Sequence, residues 1–332
     1  MAKARKLPSG NWNIRVGDGK GGKAKSFTAP TKKEVELMAA EYVNGKLYDK
    51  QHKTVGACID EYIAMKENVL SPTTISGYKK MRKNSLDGLC LYEIDALTQE
   101  DLQRYFNKIS ERLSPKYVKN TCGLLSAVFR MFRPNFRMNV TLPKKQKVYK
   151  EFPTVEQVYD AVKGTSIELP CLLAMWEGMR MSEIRGAKKS SIKNGVLTIN
   201  NVVVTVDGKR VEKKQTKTYG STRKLRLPPY ILNLIEALPA DQDYLVTRTG
   251  QSIYMSLQYY LRKNDLPLIS FHDLRHMNAS AMLALGVPDK YAMERGGWSS
   301  PEIMRNTYQH TFSEERKKVD DTVDNYFSSI IK

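Results

Sequence analysis

Strand signals in this chain are confined to short stretches, period-two alternation in one and β-branched residues in another, set among longer segments with helical apolar spacing. That distribution makes the fold α+β and multidomain, with small sheets set among many helices. In the first stretch Trp12, Ile14 and Val16 alternate with Asn11, Asn13 and Arg15. Gly17-Asp18-Gly19 and Gly21-Gly22 mark tight turns, and a second strand runs through Phe27. Thr31-Lys32-Lys33-Glu34 has the form of a capping box, opening a helix with Val35, Met38, Ala39, Tyr42 and Val43 on one face. Residues 1–50 therefore read as a small sheet-plus-helix domain. The second stretch, Gly195 to Val206, is rich in β-branched residues and ends in Asp207-Gly208, a hairpin turn. Another strand follows at Lys224-Leu-Arg-Leu-Pro.

Residues 54–140 read as an all-helical bundle. Val55, Cys58, Ile59 and Tyr62 share a helical face, Ser71-Pro72 and Ser114-Pro115 are cap-plus-proline starts, and Thr98-Gln99-Glu100-Asp101 opens a further helix. A basic linker with Pro134, Pro143, Lys144, Lys145, Lys147 and Lys150 separates this bundle from a mainly helical domain over 150–332. That domain has helices predicted at 155–163, 167–179 and 182–188, the small antiparallel sheet, and more helices to the C-terminus. Its last apolar positions, Val319, Val323, Tyr326, Phe327 and Ile330, form one helical stripe. Packing on its own domain and docking on a neighbouring protomer both remain open for that stripe.

The 332 residues carry 54 Lys and Arg against 35 Asp and Glu, so the net charge is 54 − 35 = +19. A polyanionic partner is expected, and nucleic acid is the first choice because each neutralised phosphate releases counterions. The cations cluster. The first 33 residues hold Arg15, Lys20, Lys23 and Lys25 among nine basic side chains, against the single acid Asp18. Successive helices of the bundle carry Lys79, Lys80, Arg82 and Lys83, then Lys116 and Lys119. These are the candidate DNA-contacting residues. No apolar run approaches the roughly 18–20 residues of a transmembrane helix, and no apolar stretch follows the basic N-terminus as in a secretory signal. Cys58, Cys90, Cys122 and Cys171 lie far apart with no CxxC pair, so neither a disulfide framework nor a zinc knuckle is expected. No membrane contact, no metal and no cofactor enter the reading.

Several reaction classes lack their motifs: there is no GxxxxGK[ST], no HExxH and no GxSxG. His272 and His276 have a metal-ligand spacing but no partnering acid in their helix. What remains is a set of cations and one tyrosine. Arg180 stands at a helix start in Gly178-Met179-Arg180-Met181-Ser182-Glu183. His272 and Arg275 lie at i and i+3 in Phe271-His272-Asp273-Leu274-Arg275-His276. Trp298 follows Gly296-Gly297, and Tyr308 comes ten residues later.

In this order and spacing the residues resemble the tyrosine recombinase family, specifically the integrases of phages and related mobile elements. The resemblance implies a catalytic set of Arg180, a hairpin lysine, His272, Arg275, Trp298 and the nucleophile Tyr308, with Glu183 as the supporting acid. Lys217 in Gln215-Thr216-Lys217-Thr218 is the natural hairpin lysine, and Lys214 competes for the place. Two positions depart from the commoner pattern. Met179 replaces leucine at similar volume. Trp298 replaces histidine, which leaves one indole N–H and a positioning role in place of acid–base chemistry. The resemblance further implies arm-binding (1–50), core-binding (54–140) and catalytic (150–332) domains. It implies a homotetramer on double-stranded attachment-site DNA, helped by a DNA-bending protein and a directionality factor, in the cytoplasm and nucleoid of a bacterial host. Within the family the rival is a resolvase of chromosome or plasmid dimers, which usually lacks the basic N-terminal domain.

Overall fold

The computed structural model describes residues 3–17, 24–43, 53–145, 151–214, 223–302, 304, 321, 323–326 and 328–330, with the backbone alone at 41, 43 and 214. The chain divides into two compact units, Met1–Lys145 and Gln146–Lys332. No helix among the described residues is long and apolar enough to cross a membrane.

The first unit contains two separate apolar clusters. One lies under an antiparallel sheet of β1 (Arg5–Lys6), β2 (Trp12–Val16) and β3 (Lys25–Ala29), in the order β1-β2-β3. Ile14 pairs with Phe27, so alternation puts Ile14, Val16, Phe27 and Ala29 on one face, against Val35 and Ala39 of α1 (Lys32–Val43). The helix starts where the capping box predicts, with reciprocal bonds between Thr31 and Glu34. Met38 departs from the expectation and stays exposed, because the i, i+4 pair Val35 and Ala39 already covers so narrow a sheet. The opposite face carries Asn13, Arg15, Ser26 and Thr28. Asn13 Nδ2 donates across the strands to Ser26 and Thr28.

The other cluster lies inside four helices: α2 (Val55–Lys66), α3 (Pro72–Asn84), α4 (Gln99–Ser110) and α5 (Pro115–Phe132). Each opens on a side-chain cap: Thr54, Ser71 before Pro72, Thr98 in a capping box with Asp101, and Ser114 before Pro115. Ile59, Leu102, Phe106, Leu125, Val128 and Phe129 fill the interior.

In the second unit α6 (Val155–Val162) leads to α7 (Glu168–Met175), a helix buried all round. The sequence predicts helix through 179, but the chain reverses earlier. Gly178 takes φ +66°, and the Met179 amide donates back to the Leu173 carbonyl. A Cβ at Gly178 would lie 2.7 Å from Asn278 Oδ1, so only glycine fits this turn. It delivers the chain into α8 (Met181–Gly186), which likewise stops short of the predicted 188.

The β-branched stretch divides at Asn200 between two sheets. One has β4 (Ile192–Lys193), β5 (Val196–Ile199) and β8 (Arg223–Arg226) in the order β4-β5-β8; the other pairs β6 (Asn201–Val206) with β7 (Lys209–Lys214). Asp207 (φ +48°) and Gly208 (φ +80°) make the predicted hairpin turn. Four helices follow: α9 (Pro229–Glu236), α10 (Gly250–Lys263), α11 (Phe271–Ala284) and α12 (Asp289–Gly296). α11 opens on a Ser270–Asp273 capping box and packs on α7.

Candidate active site

Three helix ends of the second unit converge on one cationic site. Arg180 is the N-cap residue of α8, and the backbone bond that starts the helix also orients its partner. The Arg180 amide donates to Glu183 Oε2 at 2.9 Å while Arg180 Nη1 donates to Oε1 at 2.8 Å. Nη2 donates to the Gly297 carbonyl at 2.8 Å, just beyond α12. One face of the Arg180 side chain remains open to solvent at 39 % exposure.

Arg275 comes from the first turns of α11 and is 1 % exposed. Its Nη1 donates to the Gly178 carbonyl, and its guanidinium lies over the Trp298 ring, 4.1 Å from the centroid. Nε and Nη2 are buried without a hydrogen-bond partner among the described residues. Burial, and next Arg180, push the Arg275 guanidinium down to about 9. A buried cation with two unpaired donors is costly unless an anion comes to it.

His272 lies one turn earlier on the same face of α11 and is exposed. Desolvation, then Arg275 and Arg180, hold its imidazole below the usual 6.5, so the neutral base prevails at neutral pH. Its ring meets His276 edge-on at 4.6 Å, and His276 stacks on Trp298 at 6.3 Å. Trp298 thus makes its contacts through its ring, as a wall beside Arg275. The two preceding glycines are sterically required there. A Cβ at Gly296 would lie 2.4 Å from the Trp298 indole nitrogen, and Gly297 has φ +64°.

Glu183 is 1 % exposed and fully engaged. Burial pushes its carboxyl up, but the fork of Arg223, with Arg180 adding to it, outweighs burial and brings it down to about 2. Glu177 is also buried beside the site. It is held up by burial against its ion pair with Arg295, Nη2 to Oε2 at 3.0 Å. Among the described residues no three His, Cys, Asp or Glu side chains gather as metal ligands would, so His272 and His276 have no third ligand there.

The structure therefore brings together Arg180, Glu183, His272, Arg275 and Trp298. Lys217 and Tyr308 lie outside the described residues, as does the Lys214 side chain, although its backbone ends β7. Of the candidate DNA-contacting residues, Lys20 and Lys23 also lie outside. Arg15 and Lys25 are exposed on β2 and β3; Lys79, Lys80 and Lys83 are exposed on α3, and Lys116 and Lys119 on α5. Arg82 is partly buried and forks Asp60 at 3.0 Å, and Lys79 pairs with Glu67 at 3.1 Å. Sequence reasoning missed Arg223, which sits 7 % exposed at the centre of the cationic site. Its signal was readable: Arg223 shares the inward register of β8 with Leu225, and an arginine in an apolar register needs a buried partner.

Residues 152–315 match the model of the phage integrase family. A "Tyrosine recombinase XerC-like" protein of Caldanaerobacter subterraneus subsp. tengcongensis is 25 % identical over 372 aligned positions, covering 95 % of each chain. An "Integrase" of Saccharopolyspora erythraea is 45 % identical over 56 residues, 17 % of this chain and 13 % of that one. Among solved structures, the Tn1549 transposon integrase in complex with transposon right-end DNA superposes with a TM-score of 0.65 at 18 % identity, over 81 % of this chain and 99 % of that one. A lambda integrase tetramer bound to a Holliday junction gives 0.61 at 15 % identity, over 94 % and 97 %. The family match and the fold agree, and residues 152–315 form a phage integrase family domain, that of a tyrosine recombinase acting in site-specific DNA recombination.

Proposed function

We propose that this chain is a three-domain integrase that cuts and rejoins DNA through a 3′-phosphotyrosine, joining or excising a mobile element through a Holliday junction. Residues 1–50 bind arm-type DNA, 54–140 bind core DNA, and 150–332 carry the chemistry. The observation that carries the reading is the buried Arg275 guanidinium, with Nε and Nη2 unpaired among the described residues, beside a half-open Arg180. Two arginines so arranged grip the non-bridging oxygens of a phosphodiester bidentately, as lysines do less well.

Cations fixed before the substrate arrives stabilise the charge that builds up as phosphorus is attacked, with single donors worth about 3–4 kcal/mol. The Tyr308 phenolic oxygen attacks phosphorus and the bond to the 5′ oxygen breaks, leaving the 3′ phosphate on tyrosine. The phenol, with an ordinary pKa near ~10, gives its proton to neutral His272. The departing 5′ oxygen takes a proton from the hairpin lysine, Lys217 or Lys214. The ester conserves the bond energy, so rejoining needs neither ATP nor metal.

Tetramer assembly on double-stranded DNA, in a bacterial nucleoid and with bending and directionality factors, completes the reading. Val323, Tyr326 and Ile330 occupy helical positions near the C-terminus and are exposed. An apolar groove of about 1760 Å³ in the second unit, walled by Trp176, Tyr230, Met282, Leu285 and Tyr291, is the proposed seat for this stripe from a second copy.

The test is a supercoiled plasmid carrying the DNA that flanks this chain's gene, incubated with protein in EDTA and quenched with SDS. Relaxation with a protein–DNA adduct, both lost in Tyr308→Phe, is the expected outcome. Relaxation that survives the substitution would move the nucleophile elsewhere. Tight, salt-sensitive binding without an adduct, once the target site is shown to be present, would leave a DNA-binding protein without cleavage.

A further inference from the structure

Arg223 opens β8 with its side chain 5 % exposed, and all three guanidinium nitrogens are engaged. Nη1 and Nη2 fork the two oxygens of Glu183 at 3.1 and 2.9 Å, and Nε donates to the Arg295 carbonyl at 2.9 Å. The clamp joins β8, the first turn of α8 and the last turn of α12. Each anchor leads directly to a residue of the candidate site. Glu183 also binds Arg180, Arg295 is followed by Gly296-Gly297-Trp298, and the segment holding Lys217 ends at Arg223.

Charge counting shows what the second arginine does. Glu183 with Arg180 alone would be a closed, neutral pair, of little use to an incoming phosphate. With Arg223 there are two cations for one carboxylate, and Arg180 keeps a net charge toward solvent. The clamp also supports the turn: a Cβ at Gly297 would lie 2.7 Å from Arg223 Nη1, so the guanidinium is the surface on which that left-handed turn rests.

We propose that Arg223 is a positioning residue for strand cleavage: held between Glu183 and the Arg295 carbonyl, it keeps Arg180 a net cation and fixes the turn that carries Trp298. This inference rests on the reading of Arg180, Arg275 and Tyr308 as the cleavage machinery.

The test uses the same plasmid, with the rate of adduct formation and the DNA affinity measured separately for the intact protein. Arg223→Met slows adduct formation about 100-fold, the scale of a misplaced catalytic group. Its affinity changes less than about threefold, because phosphate contacts elsewhere dominate binding. Combining Arg223→Met with Glu183→Gln regains about tenfold, because no buried carboxylate is left to close on Arg180. A merely structural arginine gives the opposite ranking, the double variant being worse than the single one. Equal rates for Arg223→Met and the wild type, or no recovery in the double variant, would overturn the proposal. Should Arg223→Met fail to fold, Arg223→Lys decides. It keeps the charge without the fork and is expected to cleave about tenfold slower; a wild-type rate would overturn the proposal. Tyr308→Phe and Arg180→Ala run alongside. An adduct in either sinks the reading of the site itself, whereas its loss in both leaves the Arg223 variants to judge Arg223 alone.

Discussion

The helical bundle of the first unit and the cationic site of the second use the same side chains under opposite physics. On α3, Lys79 pairs with Glu67 and Arg82 with Asp60, and both acids are more than half exposed. Such pairs are screened by water and salt and are worth about 0–1 kcal/mol each. In the second unit Arg223, Glu183 and Arg275 are nearly sealed from solvent. There the attraction is strong but so is the desolvation, and a charge left without a partner is costly. Surface cations are thus numerous and interchangeable, whereas buried ones are few and individually decisive.

The contrast is broken most directly at Glu183. Glu183→Gln leaves Arg223 buried beside a neutral amide and is expected to cost about 3–5 kcal/mol, against less than about 1 kcal/mol for Asp60→Asn opposite Arg82. Urea midpoints of the intact protein compare the two. The acid dependence follows from the depressed carboxyl. With a folded value of about 2 against an ordinary 4.5, the Glu183 contribution is complete above pH 4.5 and is lost as pH falls toward 2. The difference between wild type and Glu183→Gln should therefore shrink over that window. A difference that is flat with pH would mean that Glu183 is not held ionised by its arginines.

These buried charges mark the limit of what the sequence could tell. Arg180, His272, Arg275 and Trp298 are legible because their spacing forms a pattern along the chain. The caps at Ser71, Thr98 and Ser114 are legible because capping is local chemistry. The register of Arg223 beside Leu225 announces a buried partner but not which one: Glu183 and the Arg295 carbonyl lie 40 and 72 residues away, and no local rule brings them together. The early end of α7 was missed for the same reason. Trp176 and Glu177 continue a helical pattern, and only the tertiary fit of Gly178 against Asn278 shows why the helix must stop.

A second way to sharpen the contrast is to ask whether cations in the buried site are felt by their neighbours. His272 reports this. Its imidazole is expected to titrate below 6.5 in the DNA-free protein, because desolvation, Arg275 and Arg180 all disfavour the charged ring. Arg180→Met should move it upward, read from the ring proton resonances in an NMR titration. An unmoved titration would mean that Arg180 is as screened as a surface lysine.

The smallest effects belong to the surface. Lys79→Ala with Lys80→Ala should leave the His272 titration and the adduct rate at saturating protein unchanged, since both side chains are exposed on α3. If both contact phosphate, binding weakens alike on any DNA sequence, and the slope of log affinity against log salt falls by about 0.9 for each lost contact. One of the two differs in cost, because Lys79 must leave Glu67 to reach a phosphate while Lys80 has no ion pair among the described residues. Lys80→Ala alone should therefore weaken binding more than Lys79→Ala alone. Equal losses would mean that the Lys79–Glu67 pair costs DNA binding nothing, as expected of a pair fully screened by water.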